Sequence, residues 1–370
     1  MFVALDGQPV HAAAGPPQSG MRPPVGGSEP GLRAWGAVHT VTGQAFDPAL
    51  PCLVFIHGAQ HDHFVWMQQI RHFAGRGHSI LAVDLPGHGQ SGGAPLTSIE
   101  ALADWLLALL AKVGAGRTAS ETQYNLDFRR RLTGASRLSA SARPEPKVGA
   151  GGTAQSDPHP PIPLPEEGGD GGSRAAPAPT FGRTFLGRPV AGVTLVGHSM
   201  GSLIALEAAA RAPDLIRNLI LIGTALPMPV APALLETAQK NEAAAMALIN
   251  QWAHSPRGWR GAYGSLGLWL PGINLRIMER QKPGVLHTDL AACNAYANGP
   301  AAIASLACPV TLIAGKSDRM TSVKASRRLV EQMPHARLVE LAAVGHAMMA
   351  EAPLAVNLAI EQTLAPTLPT

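Results

Sequence analysis

Ser199 stands in the pentapeptide Gly197-His198-Ser199-Met200-Gly201. Before it lies an apolar, partly β-branched run, 193–196, and after it Leu203, Ile204, Leu206 and Ala208 recur at helical spacing. Flanking glycines let a strand and a helix pass closely, so a serine between them can occupy a strained turn with its hydroxyl exposed above the sheet. A hydroxyl is a weak nucleophile at neutral pH. It needs a base within hydrogen-bond reach and a carboxylate that holds the base in the right tautomer. The apolar run 310–314 leads into Gly315-Lys316-Ser317-Asp318, and the run 337–341 leads into Ala342-Ala343-Val344-Gly345-His346. Each places one of those groups just past a predicted strand. The segment after the run 219–222 carries no acid through Pro229, which narrows the carboxylate to Asp318. Ser199, Asp318 and His346 thus follow one another as nucleophile, orienting acid and base.

The elements that must carry these residues alternate. Residues 2–5 and 9–14, joined by Asp6-Gly7, predict a hairpin at a sheet edge. A strand at 53–56 runs into His57-Gly58-Ala59-Gln60-His61-Asp62-His63, followed by a short helical segment at 64–73. Another at 80–83 runs into the turn-rich loop 84–91, ahead of an amphipathic helix at 99–113. Strands at 310–314 and 337–341 flank a helix near 323–332, and an apolar helix at 354–364 closes the series. Strand-helix alternation of this kind implies a mostly parallel sheet covered on both faces, with the site at the carboxyl ends of the strands. Three segments break it. Residues 15–45 and 114–187 are rich in Gly and Pro and too poor in apolar residues to offset ordering entropy, so they read as low-complexity insertions. Within them 147–154 nearly repeats 112–119, which suggests a duplication. Residues 225–300 are helical, Ala-rich and aromatic-bearing, as a cap would be. The expected division is a core of 1–224 and 301–370 with a helical cap of 225–300.

With 370 residues, 46% of them hydrophobic, the chain can bury a sizeable core. Lys and Arg number 29 against 25 Asp and Glu, and only Arg129-Arg130-Arg131 are clustered, so nucleic acid is not an expected partner. Cys52, Cys293 and Cys308 lack metal-ligand spacing and fit a reducing compartment. No secretory leader pattern and no run of about 18 apolar residues is present, so the expectation is a cytoplasmic protein with no membrane span. His57, His61 and His63 do not present ligands on one face, and no metal is expected. Asp84 and His88 read as residues that shape their loop, and His198 as a packing residue.

With these motifs in place, the chain resembles the α/β-hydrolase superfamily, specifically the cap-bearing group of bacterial serine hydrolases and esterases. The likeness covers roughly residues 50–113 and 190–365, through His57-Gly58, the loop 84–91, the Ser199 pentapeptide, Asp318 and Gly345-His346. It implies an α/β-hydrolase fold and an oxyanion hole made by the N–H of Met200 and one from the His-Gly loop, at Ala59 or else Gln60. The implied activity is hydrolysis of a small to medium, largely apolar ester through an acyl-enzyme, without a cofactor. Cleavage of a C–C or amide bond by the same triad, or ligand binding without catalysis, are alternatives, and oligomeric state is left open. Met228, Trp252 and Trp259 are candidate substrate contacts. Like Met246, Tyr263 and Trp269, they could equally form the cap's own core.

Overall fold

A computed structural model describes residues 2–5, 8–13, 50–74, 76–115, 184–185, 188–189, 192–260 and 268–365. The insertion expected at 15–45 lies outside the described residues, as do nearly all of 114–187 and Tyr263. By their contacts Met1–Ala119 and Ala191–Thr370 form one unit, and Ser120–Val190 another. In the second, β5 (Thr184–Phe185) and β6 (Arg188–Pro189) pair antiparallel.

The first unit is built on β1 (Phe2–Leu5), β2 (Gln8–Ala13), β3 (Cys52–Ile56), β4 (Ser79–Val83), β7 (Val193–His198), β8 (Ile216–Ile222), β9 (Val310–Gly315) and β10 (Ala336–Leu341). They form one sheet in the order β1-β2-β4-β3-β7-β8-β9-β10. From β4 to β10 every neighbour pair is parallel. The hairpin predicted from Asp6-Gly7 is present, and β2 lies antiparallel on β4 at the edge. β3, β4, β7 and β9 are buried at every residue, which is why their sequences run apolar without alternation.

Side chains still alternate between faces. Leu53, Phe55, Ile80, Ala82, Val196 and Ile220 point to one side, against Ile70 and Phe73 of the helix Met67–Phe73 and Val356 and Ile360 of the helix Pro353–Leu364. The helices Ile99–Val113 and Met200–Arg211 pack on each other and flank the strands as well. Local chemistry ends Ile99–Val113 on both sides. Ser98 Oγ accepts from the Ala101 N–H at 3.2 Å, and Gly114 closes it with a left-handed φ of 72°.

Between β8 and β9 the chain leaves the sheet. It forms the helices Pro232–Lys240, Glu242–Ala253, Pro256–Trp259, Leu270–Glu279, Val285–Ala295 and Gly299–Ala304. Leu234, Ala238, Ala245, Ile249, Met278, Leu286 and Leu290 give this helical insertion its own apolar cluster, on which Ala59 and Met320 also pack.

One contact sets where the sheet meets the helix Met200–Arg211. A Cβ on Gly197 would lie 2.2 Å from the Gly201 carbonyl oxygen, and a Cβ on Gly201 would lie 2.3 Å from that of Ile56. Backbone, not a flexible side chain, fills the space in both cases. Gly201→Ala is therefore expected to lower stability by about 3 kcal/mol through forced backbone displacement. Urea unfolding measures it, and an unchanged midpoint would show that the helix can move away at little cost.

Candidate active site

Ser199 occupies the step from β7 into the helix Met200–Arg211 with φ 52° and ψ −120°. A positive φ is strained for any residue with a Cβ, and it persists here because the neighbours fix it. The Ser199 N–H donates to the Ile222 carbonyl at 2.9 Å, and the Ser202 N–H donates to the Ser199 carbonyl at 2.8 Å. Ser199 keeps partial exposure while Gly197, His198 and Met200 on either side are buried.

His346 and Asp318 meet, although 28 residues separate them. Nδ1 of His346 lies 2.7 Å from Asp318 Oδ2, and both residues are buried. A carboxylate only accepts, so Nδ1 carries the proton and Nε2 presents a lone pair. That Nε2 is buried and has no hydrogen-bond partner among the described residues. Asp318 is itself held on all sides. Oδ1 accepts from the N–H groups of Met320 and Thr321 at 2.8 and 2.9 Å, and Oδ2 accepts from Thr321 Oγ1 at 2.8 Å. Burial works to raise the Asp318 carboxyl, but the His346 imidazole and the Thr321 bonds outweigh it and hold the group below the usual carboxylate range. Thr321 is a site residue that the sequence reading missed. Its signal was the Asp-x-x-Thr spacing of a side chain bonding its own following turn. Gly223, at φ 61°, gives the imidazole room, since a Cβ there would lie 3.0 Å from His346 Cε1.

The loop after β3 approaches the serine from the other side. A Cβ on Gly58 would be 3.2 Å from Ser199 Cβ. Of the two candidate donors in this loop, the Gln60 N–H is taken by Asp289 Oδ2 at 2.8 Å. The Ala59 N–H carries no such bond among the described residues. Met200 opens its helix, so its N–H has no intrahelical acceptor and sits at the positive end of the peptide dipoles.

Ser199, His346, Ala59, Met228 and Trp252 all line one cavity of about 850 Å³, with Leu234, Ile249 and Ile277 among its apolar walls. Trp259 does not. It is 42% exposed and borders a separate hollow with Gln251, Pro256 and Arg319, because the four-residue helix Pro256–Trp259 turns its ring outward. Trp269 is the tryptophan that reaches the main cavity in its place. Met246 packs against the insertion's own cluster. For a metal, Asp62, His63 and Asp84 come near one another. They hold other partners and each other: Arg280 and Gln281 donate to Asp62 Oδ2, His63 Nδ1 lies 2.8 Å from Asp84 Oδ1, and the backbone N–H groups of His63 and Gln90 donate to Asp84. Asp84 thereby shapes its loop.

Five further histidines surround the site. The His198 ring lies 4.6 Å from the His346 ring, tilted by 49°, and His198 donates through Nε2 to the His346 carbonyl at 3.0 Å, which fixes the backbone there. Burial lowers His198 well below the usual histidine range, with the His346 and His61 charges adding to the effect. Burial likewise takes His57 to about 3 and His254 to about 4, and lowers His61. His57 bears this out in its bonds, since its Nε2 accepts from the Leu85 N–H at 3.0 Å. For His88 burial is overcome by Asp289, 2.8 Å from Nε2, and the result is a raised pKa.

The sign of the pH effect follows. Histidines held neutral in the fold but protonated when unfolded contribute stability that is complete above about pH 6.5 and is lost as pH falls toward their folded values. His88 acts oppositely, with its contribution complete below about pH 6.5 and lost as pH rises through its raised value. Four groups outweigh one. Stability is expected to fall between pH 7 and pH 5 with a slope approaching about 1.4 kcal/mol per pH unit for each neutral histidine, and His254→Gln should flatten it by one such share. Urea titrations at several pH values test this, and a level profile over the interval would contradict it.

The geometry can be compared with known proteins. A family model described as the alpha/beta hydrolase family matches the chain over residues 53–151 and 124–359. Comparison with curated proteins gives no match. Among solved structures, the chain is similar to the enol-lactonase from Burkholderia xenovorans, with 16% identity, a TM-score of 0.61, and 98% of this chain and 99% of that chain covered. An N-acyl homoserine lactone degrading enzyme gives 16% identity and a TM-score of 0.60 over 98% and 99% of the two chains. An esterase from Exiguobacterium antarcticum gives 12% identity and a TM-score of 0.59 over 98% and 97%. At such identities the structural likeness speaks for the fold. The family model spans well over half of the chain, and the strand order, the turn at Ser199 and the model match together place this chain in the alpha/beta hydrolase family.

Proposed function

We propose that, within the hydrolase class to which its family belongs, the chain is a serine hydrolase that cleaves small to medium, largely apolar esters through an acyl-enzyme. The observation that carries this reading is the Nδ1-bonded His346, whose buried Nε2 lone pair has no partner among the described residues and whose ring lines one cavity with Ser199. Ser199 Oγ attacks the ester carbonyl carbon as its proton passes to His346 Nε2, and Asp318 stabilises the resulting imidazolium. The carbonyl oxygen takes up the negative charge and is held by the N–H groups of Met200 and Ala59. Collapse of this tetrahedral species breaks the C–O bond, and the departing alkoxide takes the proton from Nε2. Water then adds to the acyl group with the same base, the acid leaves, and the proton returns to Ser199. No cofactor enters these steps.

The helices between β8 and β9 act as the cap that selects what reaches Ser199. A volume of about 850 Å³ lies in the range of sites for small organic molecules, and its walls are apolar for most of their extent. Two of the similar structures are named for lactones. Lactones are cyclic esters, so they belong in the substrate panel beside open-chain esters.

Hydrolysis of short p-nitrophenyl esters is expected to fall by at least about 10³-fold in Ser199→Ala, with labelling of Ser199 by a fluorophosphonate in the wild type. Equal rates in the two proteins would refute the assignment. For the cavity, Trp252→Ala should lower kcat/KM several-fold toward longer acyl chains, whereas Trp259→Ala should stay within about twofold of wild type. The reverse pattern would mean that the cavity described here is not the acyl site.

A further inference from the structure

The residues that define the Ala59 loop are not confined to the core. The peptide unit joining Ala59 to Gln60 is tied at both of its polar ends. Its carbonyl accepts from His61 Nδ1 at 2.7 Å, and its N–H donates to Asp289 Oδ2 at 2.8 Å. Asp289 belongs to the helix Val285–Ala295 of the insertion, 229 residues from Gln60 in sequence, and is 1% exposed. The same Oδ2 lies 2.8 Å from His88 Nε2, which brings the loop 84–91 into the contact. Gln60 also donates through Nε2 to the Met278 carbonyl at 3.1 Å and holds a φ of 57°. A residue with a Cβ keeps such a φ only where its surroundings impose it, and a buried carboxylate is costly unless it is hydrogen-bonded.

We propose that Asp289 is a positioning residue for the oxyanion hole: from the helical insertion it fixes the peptide that follows Ala59 and so holds the Ala59 N–H in place beside Ser199. This inference rests on the serine hydrolase reading above. Asp289 touches neither substrate nor reacting atoms, and it acts through the backbone of Gln60. Releasing one end of the peptide lets the loop relax from the left-handed turn at Gln60, and the donor moves with it.

Replacement by Asn separates this role from the need for charge. Asn Oδ1, set where Asp289 Oδ2 lies, can accept from the Gln60 N–H, while its Nδ2 takes the place of Oδ1, which has no partner among the described residues. The bond to the loop then survives without the charge. In Asp289→Ala the Gln60 N–H has no acceptor.

The test uses p-nitrophenyl butyrate kinetics, inhibition by butylboronic acid and fluorophosphonate labelling on the full chain. A boronate adduct on Ser199 places an oxygen where the oxyanion would sit, so its affinity reports on the donors and not on folding alone. Asp289→Ala is expected to lose about 100-fold in kcat with KM within about threefold, and boronate affinity should fall in step with kcat/KM. Asp289→Asn should remain within about fivefold of wild type, and all three proteins should label at Ser199 on prolonged incubation. If Asp289→Ala does not fold, Asp289→Leu fills the space without an acceptor, with His88 becoming neutral once the charge that raises its pKa is gone, and is expected to show the same loss. Wild-type kcat in the Ala or Leu variant, or a loss of kcat with unchanged boronate affinity, would overturn the inference while leaving the labelled Ser199 reading intact. A wild type that takes no label at Ser199 overturns the function itself and this inference with it.

Discussion

Everything in the site depends on how closely the helix Met200–Arg211 approaches the strands β3 and β7. At Gly201 the helix backbone lies against the carbonyls of Ile56 and His57, and at Gly197 the strand lies against the carbonyl of Gly201. No side chain intervenes. The left-handed Ser199 is the residue that joins two backbones held at this separation, and its strain is imposed by them. Because the Ile56 and His57 carbonyls also begin the loop that carries Ala59, one contact sets Ser199 and the neighbouring loop together. His346 comes from farther along the sheet, yet it too is held to the same point, through His198 Nε2 on its carbonyl.

Much of this was legible in the sequence. Buried parallel strands need residues that are apolar on both faces, so β3, β4, β7 and β9 stood out as uninterrupted runs close to their observed bounds. Asp318 and His346 were legible because parallel topology brings strand ends together, whatever their distance in sequence, and the structure joins them by a 2.7 Å bond. What sequence could not show were the contacts whose partner is a backbone group far away. Asp289 bonding the Gln60 N–H has no spacing to read. Glu351 is similar: its two oxygens accept from the Ser255 and Gly345 N–H groups, each at 2.7 Å, and so steady the residue next to His346. Trp259 shows another limit. In a short helix that begins at Pro256, hydrophobicity alone does not tell an inward ring from an outward one, and this ring faces out.

Six histidines lie close enough to share one electrostatic environment. Their mutual repulsion, added to burial, leaves His57, His61, His198 and His254 uncharged near neutrality. His88 is the exception because Asp289 faces it. The neutral rings serve as directed donors and acceptors for backbone groups, as with His57 and the Leu85 N–H or His198 and the His346 carbonyl. A dense histidine cluster is here a scaffold of short, rigid hydrogen-bonding groups around His346, whose Nε2, like that of His254, has no partner among the described residues.

The helices between β8 and β9 reach into both halves of that scaffold. Asp289 holds the loop beside Ser199, while the Ala253 carbonyl accepts from the Ala347 N–H and the Ser255 N–H shares Glu351 with Gly345. The insertion is therefore no interchangeable cassette. Grafting the corresponding helices of a relative would replace the walls of the cavity and, in the same operation, the supports of the two loops that flank the serine. New selectivity is more accessible through changes to side chains such as Met228, Trp269 and Ile273, which line the cavity and stand outside the apolar cluster on which Ala59 packs.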